Sequence, residues 1–262
     1  VNGHQARKRF GQNFLHDQHV IGRIVAAIHP LPGDHLVEIG PGLGALTGPL
    51  AALSPDLQVV EIDRDLVSRL RQQFPGLQVH EGDALELDYA TLGNPIRLLG
   101  NLPYNISTPL LFHISRFVGI IQDAHFMLQK EVVDRMVSAP GTKIYGRLSV
   151  MLQYRWTMQQ LFRVAPGSFH PVPKVESAIV RLRPHPPGFW RARSEEDFAE
   201  LVSAAFSQRR KTIRNALGNL LNDAELVRAD VDPGSRAETL GVDAYIRLSD
   251  RLTELRGAVP AC

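Results

Sequence analysis

Val37-Glu38-Ile39-Gly40-Pro41-Gly42-Leu43-Gly44 is the stretch that decides the fold. His35 to Ile39 reads as a short buried strand, and Ala45 to Leu53 follows in helical register. Between them, small residues at Gly40, Gly42 and Gly44 let the backbone turn tightly and approach a ligand closely. Downstream the alternation continues. Leu57 to Ile62 reads as a strand, Arg64 to Phe74 as a helix, and Leu77 to His80 and Ile96 to Gly100 as two further strands. Ser107 to Val118 is expected to be helical, with Ser107 as cap and Pro109 tolerated in the first turn. More strands are expected over His125 to Leu128, Gln159 to Val164 and Ser177 to Leu182. Upstream, Asp17 is placed to cap a helix that carries Val20, Ile21, Ile24, Val25 and Ile28 at helical spacing.

Such alternation implies an α/β fold with a mostly parallel sheet covered on both faces. Ligands of such sheets bind at the carboxyl ends of the strands. The glycine turn, Glu61, Asp83 and Asn101 would all gather on that edge. The pattern breaks at Pro184-His185-Pro186-Pro187-Gly188, which reads as a linker. Beyond it, Ser194-Glu195-Glu196-Asp197 resembles a helix start, and Phe198, Leu201, Val202, Ala205 and Phe206 recur at helical spacing. Further helices are expected near Lys211 to Leu221 and Val242 to Leu255. The expected division is therefore an α/β domain over residues 1–186 and a small all-helical domain over 187–262.

Composition sets bounds on the setting. The apolar share of 44% suits a globular chain with a full core, and no apolar run approaches a membrane span. The one cysteine is Cys262, so no internal disulfide can form, which fits a reducing compartment such as the cytoplasm. Val1 is not an initiator methionine, so a trimmed start is allowed for. The net charge of +2 is nearly balanced, but cations cluster at Arg7, Lys8 and Arg9 and at Arg209, Arg210, Lys211 and Arg214, where they would attract phosphates. His16 and His19 lie three apart, and no cysteine or carboxylate completes a ligand set, so no metal is expected.

Glu61 ends the second strand about twenty residues after the glycine turn, where a carboxylate can accept both hydroxyls of a ribose. Asp83 lies just past the third strand, where a carboxylate can accept from an adenine amino group. These residues suit either a nicotinamide dinucleotide or S-adenosylmethionine, and the tetrapeptide at the end of the fourth strand separates the two. Asn101-Leu102-Pro103-Tyr104 suits an exocyclic amine. The lone pair of such an amine is delocalised into its ring, so a catalyst must orient it. The Asn101 side-chain oxygen and the Leu102 carbonyl can each take one N–H. Pro103 stiffens the loop, and Tyr104 offers a ring for stacking. Phe169 is the candidate second stacking face for a base that has left its helix. The residue pattern thus points to methyl transfer onto a nucleobase amine.

The same residues resemble the small-subunit rRNA adenine dimethyltransferase family, whose bacterial members confer kasugamycin sensitivity. The resemblance covers nearly the whole chain. It is carried by Gln12-Asn13-Phe14-Leu15, the glycine turn, Glu61-Ile62-Asp63, Gly82-Asp83-Ala84 and Asn101-Leu102-Pro103-Tyr104-Asn105. Gln129-Lys130-Glu131-Val132, Tyr145-Gly146-Arg147-Leu148-Ser149, Pro171 to Ser177 and Phe206 to Thr212 extend it. The resemblance implies a Rossmann-like S-adenosylmethionine-dependent methyltransferase domain. The cofactor would lie on Asn13, Leu15, Gly40, Gly42, Gly44, Glu61, Ile62, Asp83, Ala84 and Asn101. The target base would lie between Tyr104 and Phe169. It also implies that two adjacent adenosines, in a hairpin near the 3′ end of small-subunit rRNA, become dimethyladenosines within an assembling subunit of the 30S type. The enzyme is expected to be a monomer without a membrane partner. The tail from Pro187 carries 11 Lys and Arg against 12 Asp and Glu, so its grip on RNA is expected to rest on the cluster from Arg209 to Arg214.

Three other readings differ at defined features. A macrolide-resistance methylase acting on large-subunit rRNA shares the glycine turn and the Asn-Leu-Pro-Tyr step, but not the N-terminal and tail signatures. An assembly factor that only binds would not need Asn101 and Tyr104 intact. A nicotinamide oxidoreductase would leave Asn101 to Tyr104 idle.

Overall fold

All four residues of β2 (Leu36–Ile39) are buried, as a strand with parallel neighbours on both sides and helices on both faces must be. The computed structural model describes residues 13–189, 191–208 and 210–257. In it β2 lies parallel between β3 (Gln58–Glu61) and β5 (Ile96–Asn101). Beyond β3 comes β4 (Gln78–Glu81), and beyond β5 comes β6 (Ile121–Gln129), both parallel as well. Next to β6 lies β9 (Ser177–Pro184), antiparallel, and β7 (Trp156–Val164) forms the edge. From β2 the chain winds outward to β4 and then returns to β5 on the other side. That reversal is the switch point at which the strand ends splay and a crevice opens.

The helices follow from local chemistry. α1 (Gln18–Ile28) starts at Asp17, whose carboxylate accepts the N–H groups of His19 and Val20. Its Val20, Ile21, Ile24 and Ile28 pack in one core with Leu36, Val59, Leu99, Met127 and Ile179. α2 (Thr47–Leu53) follows the glycine turn, and α3 (Arg64–Gln73) is capped by Asp63. α4 (Ser107–Ile114) differs from expectation at both ends. Ser107 is its first helical residue rather than its cap, because its Oγ donates back to the Tyr104 carbonyl. The helix also stops at Ile114, and Ser115 to Ile120 tighten into a 3-10 turn.

The chain changes compact unit at three points, after Val133, after Thr157 and after Pro184. A single cut at residue 186 would place residues 134–157 in the sheet unit, whereas they cluster with the helical one. The cause is apolar. Tyr145, Val150 and Tyr154, on and beside α6 (Arg147–Gln153), share one core with Phe198, Leu201, Ile213, Leu226 and Tyr245. Tyr154 stacks on Phe198 at 4.2 Å between ring centroids. α5 (Lys130–Met136) runs straight on from β6 and carries the chain across the first of the three points. The helical unit adds α7 (Glu195–Ala205), α8 (Ile213–Leu217), α9 (Asp223–Arg228) and α10 (Val242–Gly257). α7 begins as the sequence suggests. The Ser194 hydroxyl accepts the Asp197 N–H, and three acidic residues fill the first turn. Among the described residues, no helix is long and apolar enough to cross a membrane.

Candidate active site

The switch point carries a pocket whose wall is drawn from every strand end that the sequence analysis singled out. Asn13, Leu15, Gly40, Gly42, Glu61, Ile62, Asp83, Ala84, Asn101, Leu102, Pro103 and Tyr104 all line it. Gly42 has φ +58°, and a Cβ there would lie 3.2 Å from the Phe14 ring. The turn therefore needs glycine both for its backbone and for the approach of the N-terminal segment. That segment is held by β1 (Phe14–Leu15), which pairs antiparallel with β8 (Phe169–His170). The Ser168 carbonyl extends the pairing by accepting from His16 N–H.

Gly44 serves a different purpose from the one expected. It does not line the pocket, and a Cβ on it would come within 2.8 Å of the Phe74 ring. Gly44 thus lets α3 pack behind the turn. Phe169 is also displaced from its expected role. It is 1% exposed and packs in the core with Leu15, its partner in the β1–β8 pairing, so no face of its ring is open to a base.

Glu61 is held from three sides. Its Oε1 accepts the N–H groups of Ile62 and Asp63, and its Oε2 accepts the Gly42 N–H at 3.3 Å. Burial still outweighs these bonds and raises its pKa. Beside it, Ile62 is 46% exposed, an apolar surface open on the pocket side. Asp83 uses Oδ1 to accept the Leu85 N–H, which leaves Oδ2 for a ligand. Ile62 and Asp83 together offer a flat apolar contact and an acceptor edge, as an adenine ring requires.

The sequence reading passed over Glu38. This residue of β2 is 2% exposed, lines the pocket and accepts the Thr47 hydroxyl at 2.7 Å. Burial, opposed by that hydrogen bond and reinforced by the charge of Glu61, pushes its pKa up to about 7. A signal was present in the sequence, since an acid inside an otherwise apolar central strand needs a partner. Glu38, Glu61 and Asp83 make three carboxyl groups on the wall, and among the described residues no Lys or Arg lines it. A pyrophosphate would find repulsion there, whereas a ligand bearing an ammonium and a sulfonium would find counter-charge. This asymmetry separates the two cofactors that the glycine turn alone leaves open.

At the pocket's rim, Asn101 Nδ2 donates to the Asn13 carbonyl at 2.9 Å. A carbonyl can only accept, so this bond fixes which way the amide faces and leaves Oδ1 as an acceptor. The Leu102 N–H donates to the Met127 carbonyl, and no donor within the described residues takes the Leu102 carbonyl. Two acceptors are thus free at the end of β5. Tyr104 stands beyond them, half-buried, with its hydroxyl 2.8 Å from Ser177 Oγ. Burial raises the pKa of that hydroxyl further above its ordinary value.

Of the basic residues, Arg7, Lys8, Arg9 and Arg209 lie outside the described residues. Arg210 and Lys211 are exposed in the helical unit. Arg214 is instead paired with both carboxylate oxygens of Asp223, at 2.8 and 2.7 Å, which takes it out of the free cluster. His16 and His19 are exposed, and no metal-sized group of His, Cys, Asp and Glu occurs among the described residues.

Residues 3–254 match the family model described as ribosomal RNA adenine dimethylase. The chain belongs to that family. Among relatives of this rRNA adenine dimethylase, the ribosomal RNA small subunit methyltransferase A of Aromatoleum aromaticum is 56% identical, with 95% of each chain covered. The protein of the same description from Dechloromonas aromatica is 52% identical over 97% of this chain and all of its own. Among solved structures, the 23S rRNA methyltransferase ErmE superposes with a TM-score of 0.72 at 27% identity, over 92% of this chain and 100% of that one. A dimethyladenosine transferase from Plasmodium falciparum gives a TM-score of 0.75 at 24% identity, over 89% and 95%. The dimethylase is accordingly a Rossmann-like S-adenosylmethionine-dependent methyltransferase that acts on ribosomal RNA. The pocket fits that cofactor, because among the described residues no Lys or Arg lines it beside its three carboxyl groups.

Proposed function

We propose that this enzyme converts two adjacent adenosines in the 3′-terminal hairpin of small-subunit rRNA to N6,N6-dimethyladenosine, as a cytoplasmic monomer acting on an assembling subunit. The observation that carries the reading is the orientation of Asn101. Its amide is pinned by Asn13, so Oδ1 is held ready as an acceptor beside the Leu102 carbonyl. Two fixed acceptors can bind the two N–H groups of an adenine amine and draw its lone pair out of conjugation. Glu61 would hold the cofactor ribose, Asp83 and Ile62 its adenine, and Glu38 would face its cationic end. Held there, S-adenosylmethionine would supply an electrophilic methyl group on a sulfonium that becomes a neutral sulfur on transfer. No strong general base is demanded, so the protein's share is positioning and exclusion of water.

The helical unit supplies a grip on phosphates. Ile213 N–H donates to the Ser235 carbonyl, and Thr212 bridges Arg236 in antiparallel fashion. That pairing sets Arg236, which the sequence analysis did not single out, alongside Arg210 and Lys211. All three are exposed, and none has an ion-pair partner among the described residues.

The test is transfer of labelled methyl from S-adenosylmethionine to small ribosomal subunits lacking the modification, followed by nucleoside analysis. Dimethyladenosine in small-subunit rRNA is expected. The likeness to ErmE gives the large-subunit target specific support, so large-subunit rRNA is run alongside. Label confined to that RNA would overturn the proposal.

A further inference from the structure

The pocket wall explains how an amine is held, but it leaves open what holds the stacking ring. Tyr104 is fixed at two points. Its carbonyl accepts the Ser107 hydroxyl at 3.0 Å, which anchors the backbone. Its phenol meets Ser177 Oγ at 2.8 Å, across 73 residues of sequence. Ser177 is fully buried at the start of β9, where it pairs with Gln129 at the end of β6. A buried hydroxyl needs a partner, and the Tyr104 phenol is the side-chain partner that it has. A rigid strand therefore sets the angle of the ring through a single hydrogen bond.

We infer that Ser177 is a positioning residue that acts through Tyr104 and governs the second methyl transfer more than the first. The inference rests on the proposed dimethylation of adenosine. In the first transfer the amine carries two N–H groups, and both acceptors at the end of β5 engage it. In the second, the monomethyl amine has one N–H left, so one acceptor is idle. Orientation then depends more on the stacked ring, and a ring free to tilt penalises the second step selectively. Both steps have the same electron balance. The N6 lone pair forms the N–C bond, the C–S pair stays with sulfur, and one proton leaves N6.

The test compares Ser177→Ala, Tyr104→Phe and the double variant on small subunits lacking the modification, scoring mono- and dimethyladenosine over time. Ser177→Ala is expected to slow the second transfer about five- to tenfold, the worth of one hydrogen bond, and to slow the first much less. N6-Methyladenosine should therefore accumulate, while cofactor affinity stays as in the wild type. Tyr104→Phe removes the same bond but keeps the ring, so it should give the same product ratio, and the double variant should add nothing further. A Ser177→Ala enzyme with the wild-type ratio would overturn the inference. So would a double variant whose loss is the product of the two single losses, because Ser177 would then act independently of Tyr104. The wild-type reaction reports on the parent reading separately: no dimethyladenosine there would overturn both.

Discussion

Arg97, at the amino end of β5, and Glu38, near the carboxyl end of the adjacent β2, are both buried charges on one sheet, and their surroundings differ in kind. Arg97 has all five of its N–H groups satisfied. It donates to both oxygens of Asp123 at 2.9 Å, to Asp34, and to the carbonyls of Ile28 and His29. Burial would lower its pKa, but the bonds to Asp123 and Asp34 outweigh burial and raise it. Glu38 has one hydroxyl, from Thr47, and Glu61 close enough to repel it. The amino end of the sheet is electrostatically closed and ties the end of α1 to β5. The carboxyl end is left open, with counter-charge to come from a ligand. A buried charge that is fully paired serves the fold, whereas one that is not marks the site.

Substitutions at the two ends of the sheet should register in different measurements. Arg97→Met should cost the most, about 3–5 kcal/mol in denaturant unfolding, because the buried Asp123 and the partly buried Asp34 would be left without their cation. Asn101→Ala should reduce turnover by about a hundredfold or more, the scale of losing one oriented catalytic group. Its unfolding midpoint should be close to wild type and its cofactor binding still measurable; near-normal turnover would remove Asn101 from its role. Glu61→Ala should weaken S-adenosylmethionine binding at least about tenfold, or 1.4 kcal/mol, in calorimetry.

Two smaller effects are expected. Glu38 is raised to about 7 from 4.5, so the folded protein holds a proton that the unfolded chain has lost. This destabilises the fold progressively as pH rises from about 4.5 to about 7. A bound cation favours the carboxylate and lowers that pKa again. Cofactor binding at pH 6 to 7 should therefore release a proton, measurable as a buffer-dependent binding heat, and affinity should fall as pH drops below about 7. Glu38→Gln should reduce the buffer dependence, leaving only what the other raised carboxyl of the wall, Glu61, contributes. In the helical unit, neutralising Arg210, Lys211 and Arg236 should flatten the salt dependence of RNA binding by about 2–3 in log–log slope. An unchanged slope would mean that these residues only solvate their surface.

Much of the sheet is legible in the sequence because a strand buried on both faces is a short apolar run with a turn at its end. β2, β3 and β5 satisfy that rule, and their ends carry Gly40, Glu61 and Asn101. What the sequence conceals is set by contacts between distant residues. The bond from Asn101 to Asn13 spans 88 positions, and no local pattern announces it. Phe169 and Gly44 look like pocket residues by their motifs, yet tertiary packing against Leu15 and Phe74 decides their roles. α5 and α6 have seven residues each, too few for a helical period to stand out, so residues 134–157 give no sign that they join the helical unit. Arg214 is counted among free cations until the fold brings Asp223 to it.

The most direct measurement is a pair of calorimetric titrations of the purified protein at neutral pH, one with S-adenosylmethionine and one with NAD. A wall of three carboxyl groups, with no cation among the described residues that line it, predicts one-to-one binding of S-adenosylmethionine and no binding of NAD. Binding of NAD in place of S-adenosylmethionine would contradict the assignment of the carboxyl end to a cationic cofactor.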